Sequence, residues 1–339
     1  MKVITFGELL LRLASPGYSK LFQKDNLEPT FCGGEANVAV SLSLFGIDCS
    51  FVTKLPKNDV GYAAANSLRY FGVDISKTVF GNGRMGLYYL EKGASQRPSK
   101  VIYDRTYSAI AMSNVEDFDW DEIFADADWF HWTGINPALG DNVAAICLAA
   151  CKAAKKKGLT VSCDLNYRAN LWSSEKAMSV MDGLMPFVDV CVANEEDAEK
   201  VLGISSINND VESGKLNREG YIDVAEKIIE KYGCKTVAIT LRESISASRN
   251  IWSAMLYTDG NAYFSKKYDI QIVDRVGGGD SFTAAMIYSL IKEKQPQDAV
   301  EFAAASSCLK HTIEGDFNRI SVADVEALIQ NGGHGRVQR

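Results

Sequence analysis

Three histidines (131, 311 and 334) in 339 residues, with no H-E-x-x-H or H-x-E pattern, leave little from which to build a zinc centre. No C-x-x-C pair occurs among the eight cysteines, at 32, 49, 147, 151, 163, 191, 234 and 308. Most sit in apolar surroundings and read as reduced core residues, which sets the expectation of a cytoplasmic protein. Basic charge is also short, since 36 Lys and Arg against 43 Asp and Glu give a net charge of −7. A nucleic-acid binder needs clustered cations for the phosphate backbone. The densest basic run, Lys155-Lys156-Lys157, ends an expected helix before Gly158, where compensation of the helix dipole explains it. No apolar run approaches the length of a membrane span. The short one at the N-terminus is interrupted by Glu8 and Arg12, against a signal peptide. Internal repeats and low-complexity linkers are missing, and Ser213-Gly-Lys-Leu lacks the glycine spacing and the Ser/Thr of a P-loop.

What is present is an apolar fraction of 47%, ample for a buried core. The length suits one large α/β domain, residues 1–330, with an added subdomain and a frayed tail over 331–339. Residues 2–7 predict a buried strand, residues 49–53 a second, and Asn58 a cap for a helix over 59–71. From residue 127, strand-like runs at 128–133, 159–163, 188–193 and 235–240 alternate with helical stretches near 141–157, 174–186, 195–202 and 220–232. That is the rhythm of a mostly parallel sheet with helices on both faces, whose ligands bind beyond the strand C-termini. Residues 251–257 and 261–265 predict a hairpin around Asp259-Gly260. An Ala-rich helix over 298–310 packs closely, on another helix or on a flat ring.

Between these stretches the pattern changes. Residues 84–91 and 100–105 are short β-like runs around a polar turn, Gly93 to Ser99, and predict a small antiparallel β lid, built from about 10–31 and 84–106. Tyr88, Tyr103 and Arg105 lie here, where facing pleats turn an aromatic and an arginine into a cleft. Arginine suits a carboxylate because it donates two parallel hydrogen bonds; an ordinary surface arginine on an exposed strand is the alternative. The G-x-G-x-x-G match at 81–86 is followed by a strand pattern, whereas a dinucleotide site requires a helix there, so it reads as a turn.

The most informative run is Ile272 to Phe282. Gly277, Gly278 and Gly279 are followed by Asp280, then by Phe282, Met286 and Leu290 on one face of a helix starting near Asp280 and Ser281. Glycines before a helix uncover its first N–H groups, a nest at the positive dipole end that attracts phosphate. A carboxylate beside a phosphate is repulsive, so Asp280 either N-caps the helix or accepts a proton. Gly33 and Gly34 likewise precede a helix carrying Asn37. Asp316, on a loop after Gly315, either binds a hydroxyl or makes an Asx-turn.

Asp274 to Asp280 (D-R-V-G-G-G-D) resembles the D-T-x-G-A-G-D signature of the ribokinase-like (PfkB) sugar kinases, with Arg275 in place of Thr and Gly278 in place of Ala. Gly33, Gly34 and Asn37 resemble that family's G-G-x-x-x-N signature, and the resemblance runs from about residue 2 to 325. It implies a ribokinase-like α/β fold, ATP and Mg²⁺, phosphorylation of a sugar hydroxymethyl group, and a homodimer or higher assembly through the lid. Asp280 becomes the general base and the Gly277–Asp280 backbone the anion hole.

Asp164-Leu-Asn166-Tyr-Arg168 resembles the D-x-N-x-R run of the 2-keto-3-deoxygluconate kinase branch. Asn194 to Asp197 resembles the N-x-x-E motif, with Asp197 replacing Glu, and an acidic first helical turn is the plainer account of it. The resemblance gives Asn166, Asn194, Asp197, Thr240 and Arg242 to the nucleotide, with Mg²⁺ reached through Asp197 if by any protein group. Gly33, Gly34, Asn37, Tyr88, Tyr103, Arg105, Arg168 and Asp316 go to a sugar acid phosphorylated at C6. Two arginines suit an acid, because a neutral hexose would leave a buried arginine unpaired. A kinase for a neutral sugar, a non-catalytic sugar-binding regulator and a nicotinamide dehydrogenase are the competing readings.

Overall fold

In the computed structural model, which describes residues 1–206 and 218–332, nine strands form the central sheet. Its order runs Asn261–Phe264, Arg249–Thr258, Thr236–Ser246, Val190–Ala193, Thr160–Asp164, Trp129–Thr133, Lys2–Phe6, Asp48–Val52, with Tyr268–Gln271 also paired to Arg249–Thr258. The six strands from Thr236–Ser246 to Asp48–Val52 are parallel, and the pairings beyond Thr236–Ser246 are antiparallel. Strands covered on both faces need continuous apolar sequence, and all five residues of Trp129–Thr133 are buried.

Helices cover both faces, as the alternation predicts. On one side Asp141–Lys156, Ser174–Asp182, Glu195–Leu202 and Arg218–Tyr232 share a core with the sheet. On the other, Gly34–Leu44, Asp59–Arg69, Gly278–Ile291 and Pro296–Lys310 share a second. Phe282 and Met286 are fully buried there, and burying such side chains contributes about 1.5–3 kcal/mol each. Asn58 caps its helix by accepting a 3.1 Å hydrogen bond from the Gly61 N–H. Asp259 and Gly260, at φ of 49° and 72°, make the tight turn that two positive φ values give a hairpin. Residues 81–86 form a turn leading into the strand Gly86–Glu91, so no helix follows that glycine pattern.

The lid is a four-stranded sheet in the order Glu28–Cys32, Leu10–Ala14, Gly86–Glu91, Lys100–Asp104. Its outer pairs are antiparallel, as expected, while the central pair, Leu10–Ala14 with Gly86–Glu91, is parallel. The reason is connectivity: two separate excursions from the core leave it in the same direction and meet side by side. The last described helix, Val322–Asn331, closes on Gly332 at φ 64°. The tail from 333 and the Ser213–Leu216 stretch lie outside the described residues.

The chain returns to the centre between Lys2–Phe6 and Trp129–Thr133. Successive strands then add outward on either side, which makes this pair the topological switch point where open α/β sheets bind ligands.

Candidate active site

A cleft of about 420 Å³ opens over the C-terminal ends of these strands, and the lid forms its far wall. The loops that follow the strands supply its floor. Gly33 sits where a Cβ would meet the Glu8 carbonyl oxygen at 2.0 Å, so only glycine lets the helix Gly34–Leu44 start against the loop after the first strand. Its neighbour Gly34 faces the cleft, its imagined Cβ 3.7 Å from Asp280 Oδ1. One turn into that helix, Asn37 Nδ2 donates to Asp280 Oδ2 at 2.6 Å.

The helix expected to begin near Asp280 begins at Gly278, with Gly277 as its N-cap at φ 82°. A Cβ on Gly277 would lie 2.2 Å from the Asp316 carbonyl oxygen. The sharp turn is therefore packed tightly against the loop carrying Asp316. Gly278 faces the His311 ring rather than the cleft, whereas a Cβ on Gly279 would meet nothing within 4 Å. Among the described residues the Gly279 and Asp280 N–H groups have no acceptor, and Gly278 makes only a 3.4 Å bond to the Arg275 carbonyl. Free N–H groups at a helix N-terminus form an anion site. Asp280 itself lines the cleft. Burial pushes its carboxyl up to about 6, against the pull of Asn37's hydrogen bond and the Arg168 charge, which puts it in the range of a general base working near neutrality.

Asn166 follows the strand Thr160–Asp164 in a left-handed conformation, φ 42°, uncommon for a side-chain-bearing residue and concentrated at functional positions. Two residues on, Arg168 lines the cleft and donates to the Tyr167 carbonyl. Among the described residues no carboxylate lies within salt-bridge distance of it. Arg105 differs. Its guanidinium is paired with Glu8, Nε at 2.7 Å and Nη2 closer, and Ser108 Oγ donates to the other Glu8 oxygen at 2.5 Å. Arg105, expected in the sugar-acid set, does line the cleft, but its charge is already matched by Glu8, as a buried arginine requires. Its guanidinium lies 5.2 Å from the Tyr103 ring centroid.

At the end of the cleft expected to take the nucleotide, Asn194 and Asp197 cap each other. Asn194 Oδ1 accepts from the Asp197 N–H at 2.8 Å, and the Asp197 carboxylate accepts from the N–H groups of Asn194 and Tyr167. This capping box occupies both Asp197 oxygens. Burial nevertheless raises its carboxyl to about 6. The residues at this end fit phosphate better than they fit a protein cage for a divalent ion, since no cluster of three or more metal-ligating side chains exists among the described residues. Magnesium usually keeps waters and is held largely by substrate phosphates, a role these residues leave room for. Thr240 and Arg242 lie midway along the neighbouring strand Thr236–Ser246, just past its parallel pairing with Val190–Ala193, and line the same cleft.

Every site residue expected from the sequence thus lines one cleft, except Gly278. Two residues that sequence reasoning left without a role stand at the cleft or behind it, Glu35 in its lining and Lys310 beneath it. Glu35 is buried and accepts from Thr133 Oγ1 at 2.6 Å and Asn136 Nδ2 at 2.9 Å, and burial lifts its carboxyl to about 7. Lys310 is fully buried near Asp274, Asp316 and Asp280. Asp316 reaches the cleft as expected, but it is 5% exposed and accepts from Tyr88 Oη at 2.7 Å. The signals were faint: an acid directly after a glycine pair, and a lysine ending an apolar helix.

Residues 1–319 match the pfkB family carbohydrate kinase model. The 2-dehydro-3-deoxygalactonokinase of Haloferax volcanii is 30% identical over 334 residues, covering 98% of each chain. The crystal structure of 2-dehydro-3-deoxygluconokinase from Thermotoga maritima superposes with a TM-score of 0.94 at 53% identity, covering 97% of this chain and 99% of that one. A fructokinase from Xylella fastidiosa with bound ATP shares the fold, with a TM-score of 0.78 at 21% identity over 98% of this chain and 99% of its own.

Proposed function

The chain belongs to the pfkB family of carbohydrate kinases, and on that premise we propose that it phosphorylates the terminal C6 hydroxyl of a sugar acid of the 2-keto-3-deoxygluconate type, with ATP as donor. The observation that carries the reading is Arg168, a cleft-lining arginine with no carboxylate partner among the described residues, in the same cleft as Asp280 and the open face of Gly279. A substrate carboxylate completes it; a neutral sugar leaves it uncompensated.

In this mechanism Asp280 removes the proton from the C6 hydroxyl as that oxygen attacks the γ-phosphorus. The new P–O bond forms as the bond to the β-phosphate oxygen breaks, ADP leaves, and the proton stays on Asp280 until solvent takes it. The Gly279 and Asp280 N–H groups, at the positive end of the helix dipole, meet the charge on the transferring oxygens. Phosphoryl transfer depends mostly on positioning and charge stabilisation, so the backbone matters about as much as the base. Magnesium on the nucleotide phosphates would neutralise further charge. Asn166, Asn194, Thr240 and Arg242 hold the nucleotide, while Gly34, Tyr88, Tyr103 and Asp316 shape the sugar end.

One observation favours a second reading. Arg105 is already neutralised by Glu8, so the sugar end carries one spare cation rather than two, which leaves a kinase for neutral sugars in play. An ADP-release assay over a panel of sugar acids and neutral sugars separates the two. Turnover restricted to 2-keto-3-deoxy sugar acids is the expected result, and preference for fructose or ribose would reject it. We also infer a homo-oligomer joined through the exposed lid edges, which invite strand pairing. The unpaired, mostly buried cysteines suit a reducing, cytoplasmic setting.

A further inference from the structure

The lid's inner face carries a charge in the middle of its apolar side. Leu10, Arg12 and Ala14 alternate inward along one strand, and Leu10 and Ala14 pack with Cys32, Tyr88 and Leu90. Arg12 is 2% exposed, and an arginine that deep is tolerated only with its charge and donors satisfied. Its two terminal nitrogens are satisfied by different loops. Nη2 donates to Asp274 Oδ2 at 2.6 Å, and Nη1 forms a short ion pair with Asp316. Asp274 opens the turn that ends in the glycine nest, and its other oxygen holds the Val276 N–H at 3.2 Å. Asp316 lies on the loop that Gly277 touches.

We propose that Arg12 is a positioning residue for phosphoryl transfer: its guanidinium fork fixes the lid, the glycine turn and the Asp316 loop in one register, and so sets where the anion hole and the Asp280 carboxylate stand relative to the substrate bound against the lid. The inference rests on the kinase reading above. Two features make it more than a fold contact. The fork spans two carboxylates on loops far apart in the chain, which a single ammonium cannot do. With Lys310, Arg12 also balances Asp274 and Asp316, whose loops flank the glycine turn; without it two buried carboxylates would repel an incoming phosphate. The lid strands that carry Tyr88 and Tyr103, with Arg105 just beyond the second, are thereby tied to the proposed phosphate end.

The test is Arg12→Lys in the full-length protein, with kcat, the KM and Kd for sugar acid and ATP, and deuterium exchange at 274–279 and 315–317. A displaced cradle of about 1 Å costs on the order of a hundredfold in rate. The expected result is a kcat lowered by about that factor, affinities for both substrates within about threefold, and faster exchange in those two segments alone. A kcat within threefold of the parent, or exchange unchanged there, would overturn the proposal; so would parallel loss of both affinities, which marks a general collapse. If Arg12→Lys does not fold, Asp274→Asn, which keeps the Asp316 pair, is read by the same criteria. If the parent protein turns over no sugar acid, the functional reading fails, and the exchange data alone decide on the clamp.

Discussion

Asn37 and Asp280, 243 residues apart in the chain, are joined by a 2.6 Å hydrogen bond from Asn37 Nδ2 to Asp280 Oδ2. The bond ties the start of the helix Gly34–Leu44 to the start of Gly278–Ile291, and it stabilises the ionised form of the carboxylate against the burial that raises its pKa to about 6. The Arg168 and Lys310 charges act in the same sense, and Asp316 in the opposite one. A proton acceptor must be ionised, so kcat/KM falls as pH drops through about 6. Asn37→Leu removes the donor, and the acid limb should move up by about one unit. Activity is then lost at pH 6–7 and retained at pH 8.5. Glu35 titrates nearby, so profiles taken in a Glu35→Gln background isolate Asp280; a limb that stays put in that background argues against Asp280 as base.

Asp280→Asn keeps the shape and the Asn37 neighbour but cannot accept a proton. General-base removal typically costs about 10²–10⁴ in rate, so kcat should fall by that order while sugar-acid affinity, measured calorimetrically, holds. Near-normal turnover would reject the role.

The two arginines proposed for the sugar end, Arg105 and Arg168, should fail differently. Arg168 has no carboxylate partner among the described residues, so Arg168→Ala is expected to raise KM for the sugar acid at least tenfold, about 1.4 kcal/mol, with the melting temperature little changed. Arg105→Ala strands Glu8 in a buried position, and breaking a buried pair costs about 3–5 kcal/mol. A lowered melting temperature is expected, partly restored by adding Glu8→Gln. Equal melting temperatures for the two single variants would contradict the pairing.

Gly277 and Gly279 are two residues apart and should respond in opposite ways. Alanine at 277 must adopt φ 82° and meet the Asp316 carbonyl at 2.2 Å, so Gly277→Ala is expected to destabilise the fold by more than about 1 kcal/mol. Gly279→Ala enters open space, should leave stability unchanged, and places a methyl group where the proposed mechanism puts phosphate. Its signature is a raised KM for ATP in steady-state kinetics.

Much of this architecture was legible in the chain. Parallel strands covered on both sides must be apolar throughout, and helices must alternate with them, so residues 128–240 announced their layering. The glycine turns were legible because few other residues uncover a helix N-terminus, and they led to Asp280, Asn37 and Gly34. What was not legible was pairing. That Glu8 neutralises Arg105, or that Asp197 spends its oxygens on its own helix cap, depends on which loops the folded sheet brings together, and local spacing carries no trace of it. Arg12 left a mark that by itself argues only against a signal peptide: a charge breaking the apolar run of Leu10, Leu11 and Leu13.

The parallel seam between Leu10–Ala14 and Gly86–Glu91 bears on the order of synthesis. The N-terminal arm emerges from the ribosome before its parallel neighbour exists, and the anions that complement Arg12 arrive only with residues 274 and 316. An arm that is translated well before its partners is therefore completed among the last, and an unfinished chain carries a cation that its own interior cannot yet accept.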